Sequence, residues 1–199
     1  MKQQRAIDTQ EKILRAACKI FAADGFHGTR IDNIAETAGV NKQRIYAYFG
    51  SKSKLFEHCV GVILDDMKDI SGKALKEAAA EPERLTEILL REYMAVHDRN
   101  PEFRRLLTWA NLEDEIDVKL LPGIQQKHRA GLKELFLQAQ SNGALPPKIT
   151  FEAYIFILMG ISYFYHSNRK TLSQTLSKEM FTATGQEQLI LECLALFQR

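Results

Sequence analysis

The sequence predicts an all-α protein in which an N-terminal module of three helices precedes a larger helical body. Apolar residues recur with the three- and four-residue spacing of helices, and the alternation typical of strands is absent. Glycine and proline lie where these helical patterns end. The chain has 199 residues, of which 45% are hydrophobic and 26% charged, so it can bury a sizeable core.

The first predicted helix carries an apolar face and has signals at both ends. Asp8 and Glu11 have the spacing of a capping box, so we expect the helix to begin near them. Gly25 and Gly28 interrupt the apolar pattern and predict the end of the helix. The residues expected to face the core are Leu14, Ala17, Cys18 and Phe21.

The second and third predicted helices are short and are separated by one tight turn. Thr29, followed three residues later by Asp32, predicts the N-cap of the second helix. Gly39 turns the chain, Asn41 predicts the N-cap of the third helix, and Gly50 predicts its end. The residues expected to be buried on these two helices are Ile31, Ile34, Ala35, Ala38, Ile45 and Phe49.

The rest of the chain is also predicted to be helical. Ser51 caps an expected fourth helix over residues 52–80, and Thr150 caps an eighth over residues 151–167. Prolines open the fifth and sixth helices. The fifth, sixth and seventh helices are expected at residues 82–98, 102–112 and 121–141. The capping-type pairs that predict a short helix and a final, ninth helix are Thr171 with Gln174 and Thr184 with Glu187.

The cysteines and the hydropathy pattern argue against several classes of protein. Cys18, Cys59 and Cys193 are far apart and form no CxxC pair, so we expect reduced, buried thiols, with oxidant sensing as an open alternative. The N-terminus lacks the apolar stretch of a signal peptide. The longest mainly apolar run, residues 153–165, is shorter than the roughly 20 residues that cross a bilayer, so we expect a buried helix there.

Positive charge is concentrated in the first quarter of the chain. Residues 1–56 hold ten Lys or Arg and five Asp or Glu, whereas residues 57–199 hold seventeen and twenty. A basic module next to a mildly acidic body indicates that a polyanion binds at the N-terminal end.

The stretch GVNKQRIYAYFGSK, residues 39–52, combines hydrogen-bond donors and aromatic rings with no acidic residue. Two short helices joined by a tight turn form a helix-turn-helix, whose second helix lies in the DNA major groove with its first residues at base edges. These residues are Lys42, Gln43 and Arg44. Lysine and arginine can donate to guanine, and glutamine can pair with adenine. A carboxylate in this stretch would repel the DNA backbone, which accounts for its composition.

Five further residues complete the predicted DNA-binding surface. Tyr46 and Tyr48 carry hydroxyl groups that suit phosphate oxygens, although either ring could belong to the core instead. Lys52 lies in the first turn of the fourth helix, where backbone N–H groups already favour an anion. Thr29 and Arg30, at the start of the second helix, are also candidate DNA contacts.

The segment from Ile13 to Phe56 resembles the TetR family of bacterial transcription regulators. The matching stretches are ILRAACKIFAADGFHGTRIDNIAETAGV and NKQRIYAYFGSKSKLF. The resemblance implies an all-helical homodimer in which helices one to three bind DNA and the remaining helices form a ligand-binding and dimerisation body. It also implies repression in most cases, with release of DNA when a small ligand binds. Gln43 and Arg44 depart from the small residue next to Thr or Ser of many members, so the operator cannot be taken from a relative.

Residues 57–199 show no catalytic motif and no Gly-rich phosphate loop, and we expect no enzymatic activity. The five histidines form no HxH or HxxxH pair, so we expect no metal and no cofactor, with a metal site assembled across helices as the open alternative. Six residues of helices five, six and eight are candidate effector contacts, each with simple core packing as the alternative. They are Tyr93, His97, Phe103, Trp109, Met159 and Tyr163.

Two C-terminal segments are candidates for an interface between subunits. The eighth helix, FEAYIFILMGISYFYHS, is apolar almost all the way round, and the final helix contains the apolar stripe EQLILECLALF. A helix that is apolar on every side must be covered on more than one side. We therefore expect a homodimer through helices eight and nine, with core packing inside one subunit as the alternative.

The sequence predicts a helix-turn-helix DNA-binding domain over residues 1–56 and an effector-binding and dimerisation domain over residues 57–199. We expect a cytoplasmic homodimeric transcriptional repressor that binds a double-stranded DNA operator at the nucleoid and is released by an unknown small organic effector. The alternative is a DNA-bound adaptor whose C-terminal body binds a protein partner and no small molecule. A pocket in that body would distinguish the two.

Overall fold

The computed structural model describes residues 2–113 and 122–197, with the backbone alone for residues 2–3, 63–71 and 122–128. Its helices are α1 (Lys2–Gly28), α2 (Ile31–Ala38), α3 (Lys42–Phe49), α4 (Lys52–Ala80), α5 (Leu85–Arg99), α6 (Pro101–Leu112), α7 (Pro122–Ser141), α8 (Phe151–Ser167), α9 (Arg169–Leu172) and α10 (Ala183–Ala195). Two 3₁₀ turns, Pro82–Arg84 and Lys178–Phe181, precede α5 and α10. No strand occurs in the described ranges, and the predicted all-α fold class is confirmed. The final helix expected as the ninth is α10.

Three of the predicted N-caps are confirmed by hydrogen bonds. The Asn41 side chain accepts from the backbone N–H of Gln43 at 2.6 Å, and the Ser51 hydroxyl accepts from that of Lys54 at 3.1 Å. The Thr150 hydroxyl accepts from the backbone N–H of Ala153 at 3.2 Å. Each bond satisfies a donor that has no partner inside its helix, so these side chains set where α3, α4 and α8 begin.

The predicted start of α1 is wrong. This helix begins at Lys2, and Asp8 lies inside it, where its carboxylate accepts from the Gln4 side-chain amide at 2.9 Å. The predicted end is close, because α1 departs from helical geometry at Gly25 and ends at Gly28. Two acidic residues with capping spacing therefore do not mark a helix start by themselves. They also occur inside an exposed helix, where Asp8 bonds to Gln4 one turn earlier.

The predicted caps of the second and last helices are also wrong. The Thr29 hydroxyl donates to the Gly25 carbonyl at 2.7 Å, and Arg30 is the N-cap of α2 without a side-chain bond. Thr182, two residues before the predicted Thr184, caps α10 by accepting from the Gly185 backbone N–H at 3.1 Å. Several hydroxyl residues near each helix start compete for the cap, and the local sequence does not rank them.

The short helix α9 is not capped by the predicted Thr171 either. Asn168 is its N-cap, without a side-chain bond, and the Thr171 hydroxyl donates to the Asn168 carbonyl at 2.9 Å.

The expected start of the seventh helix at residue 121 lies outside the described residues. Within the part of the chain that is described, no helix has both the length and the apolarity needed to cross a membrane.

The chain forms two compact units. The first comprises Met1–Asp66 and Pro101–Leu121, and the second comprises Met67–Asn100 and Pro122–Arg199. Helix α6, which the sequence places in the C-terminal body, therefore lies in the first unit. The functional division into residues 1–56 and 57–199 stays a prediction.

The core of the first unit is built from the apolar faces of α1, α2, α3, the first turns of α4, and α6. Phe21 and Phe56 lie at its centre, fully buried, with ring centroids 5.0 Å apart in an edge-to-face arrangement. Most of the predicted apolar faces are buried here, while Leu14 and Ala38 are partly buried. Other members of this core are Ile13, Ala17, Ile31, Ile34, Ile45, Phe49, Leu55 and Leu106.

Helix α6 packs against α1 and closes the C-terminal end of that helix. The Arg105 guanidinium donates to the backbone carbonyls of Ala22 and Ala23, the second at 2.8 Å. The indole of Trp109 lies against Gly25, leaving no room for a side chain there. Carbonyl groups at a helix end have no partner inside the helix, so a guanidinium stabilises them by both hydrogen bonding and charge.

The core of the second unit is formed by α5, α7, α8, α10 and the last turns of α4. Tyr154 of α8 is fully buried at its centre, and its hydroxyl bonds to that of Thr86 at 3.1 Å. The ring of Phe136 lies 5.3 Å from that of Tyr154, and the ring of Phe197 lies 5.7 Å from it. On the surface of this unit, Arg91 of α5 binds both carboxylate oxygens of Glu187 of α10 at 2.6 Å.

Candidate nucleic-acid interface

The turn between α2 and α3 sets the direction of α3. Gly39 ends α2 in the left-handed region, with φ 64° and ψ 38°, and its backbone N–H donates to the Glu36 carbonyl at 3.1 Å. The backbone N–H of Val40 donates to the Ala35 carbonyl at 2.9 Å. Asn41 then caps α3. These bonds join the two helices by a turn of three residues, which is the geometry of a helix-turn-helix.

Burial of one side of α3 leaves the opposite side open to solvent. Ile45 and Phe49 are buried in the first core, which confirms their predicted packing. The side chains of Lys42, Gln43 and Arg44 are exposed. Two buried anchors therefore fix a helix whose first turn exposes three donor side chains to solvent.

Lys42 is paired within the helix-turn-helix. Its Nζ lies 2.9 Å from both carboxylate oxygens of Asp32, in the first turn of α2. The hydrogen bond to Asp32 raises the pKa of the Lys42 ammonium above its usual value. Within the described residues Arg44 forms no ion pair, so its guanidinium, with five donors, is the strongest candidate for a base edge.

The two tyrosines of α3 differ in exposure. Tyr46 is 42% exposed, on the same side as the donors. Tyr48 is half-buried and packs against the first core, where its ring centroid lies 6.4 Å from that of Phe49. The predicted DNA contact thus fits the placement of Tyr46 better than that of Tyr48, whose ring partly fills the alternative role of a core aromatic.

Lys52 lies in the first turn of α4, above an aromatic ring. Its Nζ is 4.8 Å from the ring centroid of Phe26, a cation–π distance. Burial lowers the pKa of the Lys52 ammonium, an effect that the negative charge of Glu113 opposes. The Glu113 carboxylate also lies 2.8 Å from His27 Nε2. The ring restrains the lysine at a helix N-terminus, where backbone donors and the ammonium could hold one phosphate.

The structure separates the two candidates at the start of α2. Arg30 is exposed, as a DNA contact requires. Thr29 is only 2% exposed, and its hydroxyl is already bonded to the Gly25 carbonyl. The placement of Thr29 argues against the predicted side-chain contact and gives this residue a role in ending α1.

The six candidate effector residues are divided between the two units. Phe103 and Trp109 belong to α6 in the first unit, where Phe103 is buried and Trp109 packs on Gly25. Core packing, the alternative reading of both, fits this placement. In the second unit Met159 is half-exposed on α8. The remaining three candidates, all in the second unit, are Tyr93, His97 and Tyr163.

Two of these three residues are neighbours in the second unit. The ring centroids of His97 and Tyr163 lie 5.9 Å apart, and the ring of His166 lies 5.3 Å from His97. Burial raises the pKa of the Tyr93 hydroxyl to about 12. His166 bonds the Asp98 carboxylate through Nε2 at 3.0 Å. Among the described residues no group of three His, Cys, Asp or Glu is arranged to hold a metal ion.

Sequence reasoning missed two residues that organise this surface. Asp32 is the partner of Lys42, and Arg105 holds the end of α1. For Asp32 only a weak signal existed, because it is one of five acidic residues among the first 56. For Arg105 no local signal existed, since its partners are carbonyl groups more than 80 positions away.

Comparisons with known proteins agree with this geometry. Residues 13–59 match the family model described as bacterial regulatory proteins, tetR family, and residues 82–192 match the tetracyclin repressor-like C-terminal domain. A crystal structure of a TetR family transcription regulator from Marinobacter aquaeolei is similar in fold, with a TM-score of 0.69 at 19% identity over 99% of this chain and 100% of that one.

Two curated relatives are similar over most of their length. The chain is 31% identical to the HTH-type transcriptional repressor NicS of Pseudomonas putida, over 90% of this chain and 86% of the relative. It is 30% identical to the HTH-type transcriptional repressor SCO4008 of Streptomyces coelicolor, over 77% of this chain and 76% of the relative. Family models on both parts of the chain and relatives of this similarity place it in one family. This protein belongs to the TetR family of bacterial regulatory proteins and is a DNA-binding transcription regulator.

Proposed function

We propose that the protein is a homodimeric repressor that binds an operator through α3 and is released by a small organic effector. The observation that carries the proposal is the arrangement of α3, whose buried anchors Ile45 and Phe49 present Gln43 and Arg44 to solvent in its first turn. The names of the relatives NicS and SCO4008 support repression. The proposed site of action is the bacterial cytoplasm, on nucleoid DNA.

The proposed DNA contacts fall into two groups with different effects. Gln43 and Arg44 would hydrogen-bond base edges in the major groove, which carries the sequence information. Arg30, Tyr46 and Lys52 would bind phosphates, which fix the register of the helix and add affinity for any sequence.

Exposed apolar side chains on α8, together with an exposed leucine on α10, support the proposed homodimer. Phe156 is 77% exposed on α8, where Met159 and Phe164 are about half-exposed. On α10, Leu191 is about half-exposed. Large apolar side chains gathered on one surface mark an interaction site. A two-fold dimer would bury this surface against its own copy.

The proposed release mechanism is a shift between two dimer geometries. Operator binding requires two copies of α3 about 34–36 Å apart, or a multiple of one DNA turn. An effector that binds more tightly to a dimer with another spacing would shift the population away from the DNA-binding form. The size of this shift is limited by the difference between the affinities of the effector for the two dimer forms. Helix α4 contributes residues to both units and is the proposed two-state element. Tyr93, His97 and Tyr163 are the proposed effector contacts.

Selection of bound DNA from a random pool, followed by two alanine variants, tests the DNA-binding part. Arg44→Ala should lose about 1–3 kcal/mol of discrimination at one base pair of each half-site. Lys52→Ala should weaken binding to every sequence alike and flatten the salt dependence by about one unit per subunit. Lys148→Ala, which removes an exposed lysine of the second unit, is the control and should change neither.

Each variant has an outcome that contradicts its assigned contact. Equal weakening of Arg44→Ala on selected and random DNA would move Arg44 to a phosphate. An unchanged salt dependence for Lys52→Ala would remove Lys52 from the DNA-binding surface. Failure of the wild-type protein to enrich any sequence would refute an operator-specific function.

An effector screen against the selected operator tests the release mechanism. Small organic compounds would be assayed for release of operator DNA and for stabilisation of the protein against heat, because a ligand of the folded state raises Tm. Tyr93→Phe and Tyr163→Phe should weaken the response to a true effector and leave operator affinity unchanged. A body that binds a protein partner and no compound would instead support the adaptor function.

A further inference from the structure

The ion pair between Asp32 and Lys42 places a carboxylate on the proposed DNA-binding surface. Asp32 lies in the first turn of α2 and Lys42 is the first residue of α3, so the pair spans the turn of the helix-turn-helix. The Lys42 Nζ is 2.9 Å from each oxygen of the carboxylate, and both side chains are well exposed. The pair therefore lies where DNA phosphates would approach.

A carboxylate at this position acts against binding of a polyanion in two ways. It neutralises Lys42, which would otherwise be a mobile point charge able to meet a phosphate in any geometry. It also repels the phosphates themselves. Glu36 lies one turn further along the same helix and is exposed, but it forms no ion pair with any described residue. The two carboxylates therefore differ in whether they hold a lysine.

The cost of the carboxylate depends on the DNA sequence. On arbitrary DNA the first turn of α3 meets no matching base edges, so binding relies on attraction to the phosphates. A free Lys42 would add its whole charge to this attraction. On the operator, hydrogen bonds from Gln43 and Arg44 fix the helix in the groove and limit how far Lys42 can reach towards a phosphate. Specificity is the difference between these two affinities, and a repulsive element can raise it.

We propose that Asp32 is a specificity-determining residue, which holds Lys42 and thereby weakens binding to arbitrary DNA more than binding to the operator. The proposal rests on the proposed operator-binding function. It assigns Asp32 a role in discrimination without a contact to any base. It also assigns Lys42 to positioning within the helix-turn-helix in the free protein.

Asp32→Asn tests the proposal, because asparagine keeps the size of the side chain and removes the charge that holds Lys42. Affinity for random duplex DNA should rise about threefold to fivefold per subunit. This factor corresponds to the free energy of an exposed lysine–carboxylate pair, which no longer has to be broken before Lys42 can contact a phosphate. The salt dependence on random DNA should steepen by about 0.9 per subunit, because one more lysine displaces a counterion. Affinity for the selected operator should rise less, so the ratio of the two affinities should fall.

Two matched variants separate the ion pair from a general charge effect. Glu36→Gln removes a charge from the same helix face without freeing a lysine, and it should leave the specificity ratio unchanged. In a Lys42→Gln background, Asp32→Asn should have little further effect on the ratio, since the cycle isolates the interaction between the two residues.

Three results would overturn the proposal by showing that the ion pair does not set the discrimination. One is an equal rise on operator and random DNA, another is a fall in the ratio with Glu36→Gln as large as with Asp32→Asn, and the third is a full effect of Asp32→Asn without Lys42. An Asp32→Asn variant that matches the wild type on random DNA, while the wild type still selects an operator, refutes this inference alone. A wild-type protein that selects no sequence refutes the proposed function and the inference with it.

Discussion

Gly25 occupies a backbone conformation and a space that only glycine fits. Its φ of 74° and ψ of 179° fall in a region that is essentially restricted to glycine. A Cβ atom built at this position would lie 2.9 Å from Cε2 and Cζ2 of Trp109, closer than carbon atoms pack. Gly25→Ala should therefore strain the backbone and displace the indole that closes the end of α1.

The expected loss of stability has two parts of similar size. The forbidden backbone conformation costs about 1–3 kcal/mol. Forcing a methyl group against a packed ring costs about 1–3 kcal/mol more, because the surrounding side chains must move. The free energy of unfolding should fall by about 2–6 kcal/mol in total, a large share of the 5–15 kcal/mol typical of a folded protein. A fall in Tm of roughly 10 °C would follow.

Urea unfolding, followed by circular dichroism and by the emission of Trp109, measures this loss. Trp109 is the only tryptophan, so its emission reports on the contact itself. Gly39→Ala is the matched control, because Gly39 also has a positive φ of 64° but has no atom within 4 Å of an added Cβ. That variant should lose only the backbone part, about 1–2 kcal/mol.

A second variant separates the steric part from the backbone part. Trp109→Leu removes the ring that the new methyl group would meet, so Gly25→Ala should cost less in that background than in the wild type. The reasoning is refuted if Gly25→Ala costs no more than Gly39→Ala. It is also refuted if the cost of Gly25→Ala is the same with and without the indole.

Three further predictions concern the second unit. Phe156→Glu should leave the circular dichroism spectrum native but shift sedimentation at low concentration from dimer to monomer, and a folded, fully dimeric variant would exclude this residue from the interface. Hydrogen bonds from Arg91, then Arg84, hold the pKa of Glu87 below its usual 4.5, so this carboxylate stabilises the fold above that pH and loses its effect as pH falls through its lower folded value. Glu87→Gln should therefore lower Tm at pH 7 and lower it less as the pH falls into the acid range, and an equal loss at every pH would contradict the charge mechanism. Tyr154→Phe should cost about 1–2 kcal/mol in urea unfolding because it leaves a buried hydroxyl without its partner, and a neutral result would show that the hydroxyl pair adds nothing.

The helices that the sequence predicts well are those with strong local signals. Asn41, Ser51 and Thr150 each accept from a backbone N–H within three residues, so the determinant and its effect lie within one turn. The same reasoning failed at α1, where Asp8 and Glu11 have the right spacing but lie inside a longer helix. Spacing alone predicts a cap correctly only if the helix has not already begun upstream. At α1 it begins at Lys2, so the pair lies inside the helix.

The candidate DNA-binding surface was predicted in part for the same reason. Exposure of Lys42, Gln43 and Arg44 follows from burial of the apolar positions on the opposite side of a short helix, which its periodicity indicates. The burial of Thr29 does not follow from periodicity, because it depends on the bond of its hydroxyl to the end of α1. Nor does the pairing of Lys42 with Asp32, which depends on how α2 and α3 cross.

The sequence by itself determined the helical class, the turn at Gly39 and the set of donors on α3, because each depends on residues within a few positions of one another. Only the tertiary structure decided that α6 belongs to the first unit. Arg105 bonds carbonyl groups of α1, and Trp109 packs on Gly25 from the same helix. These partners are more than 80 positions apart in the chain, and no local pattern encodes a contact whose geometry is set by the packing of every element between them.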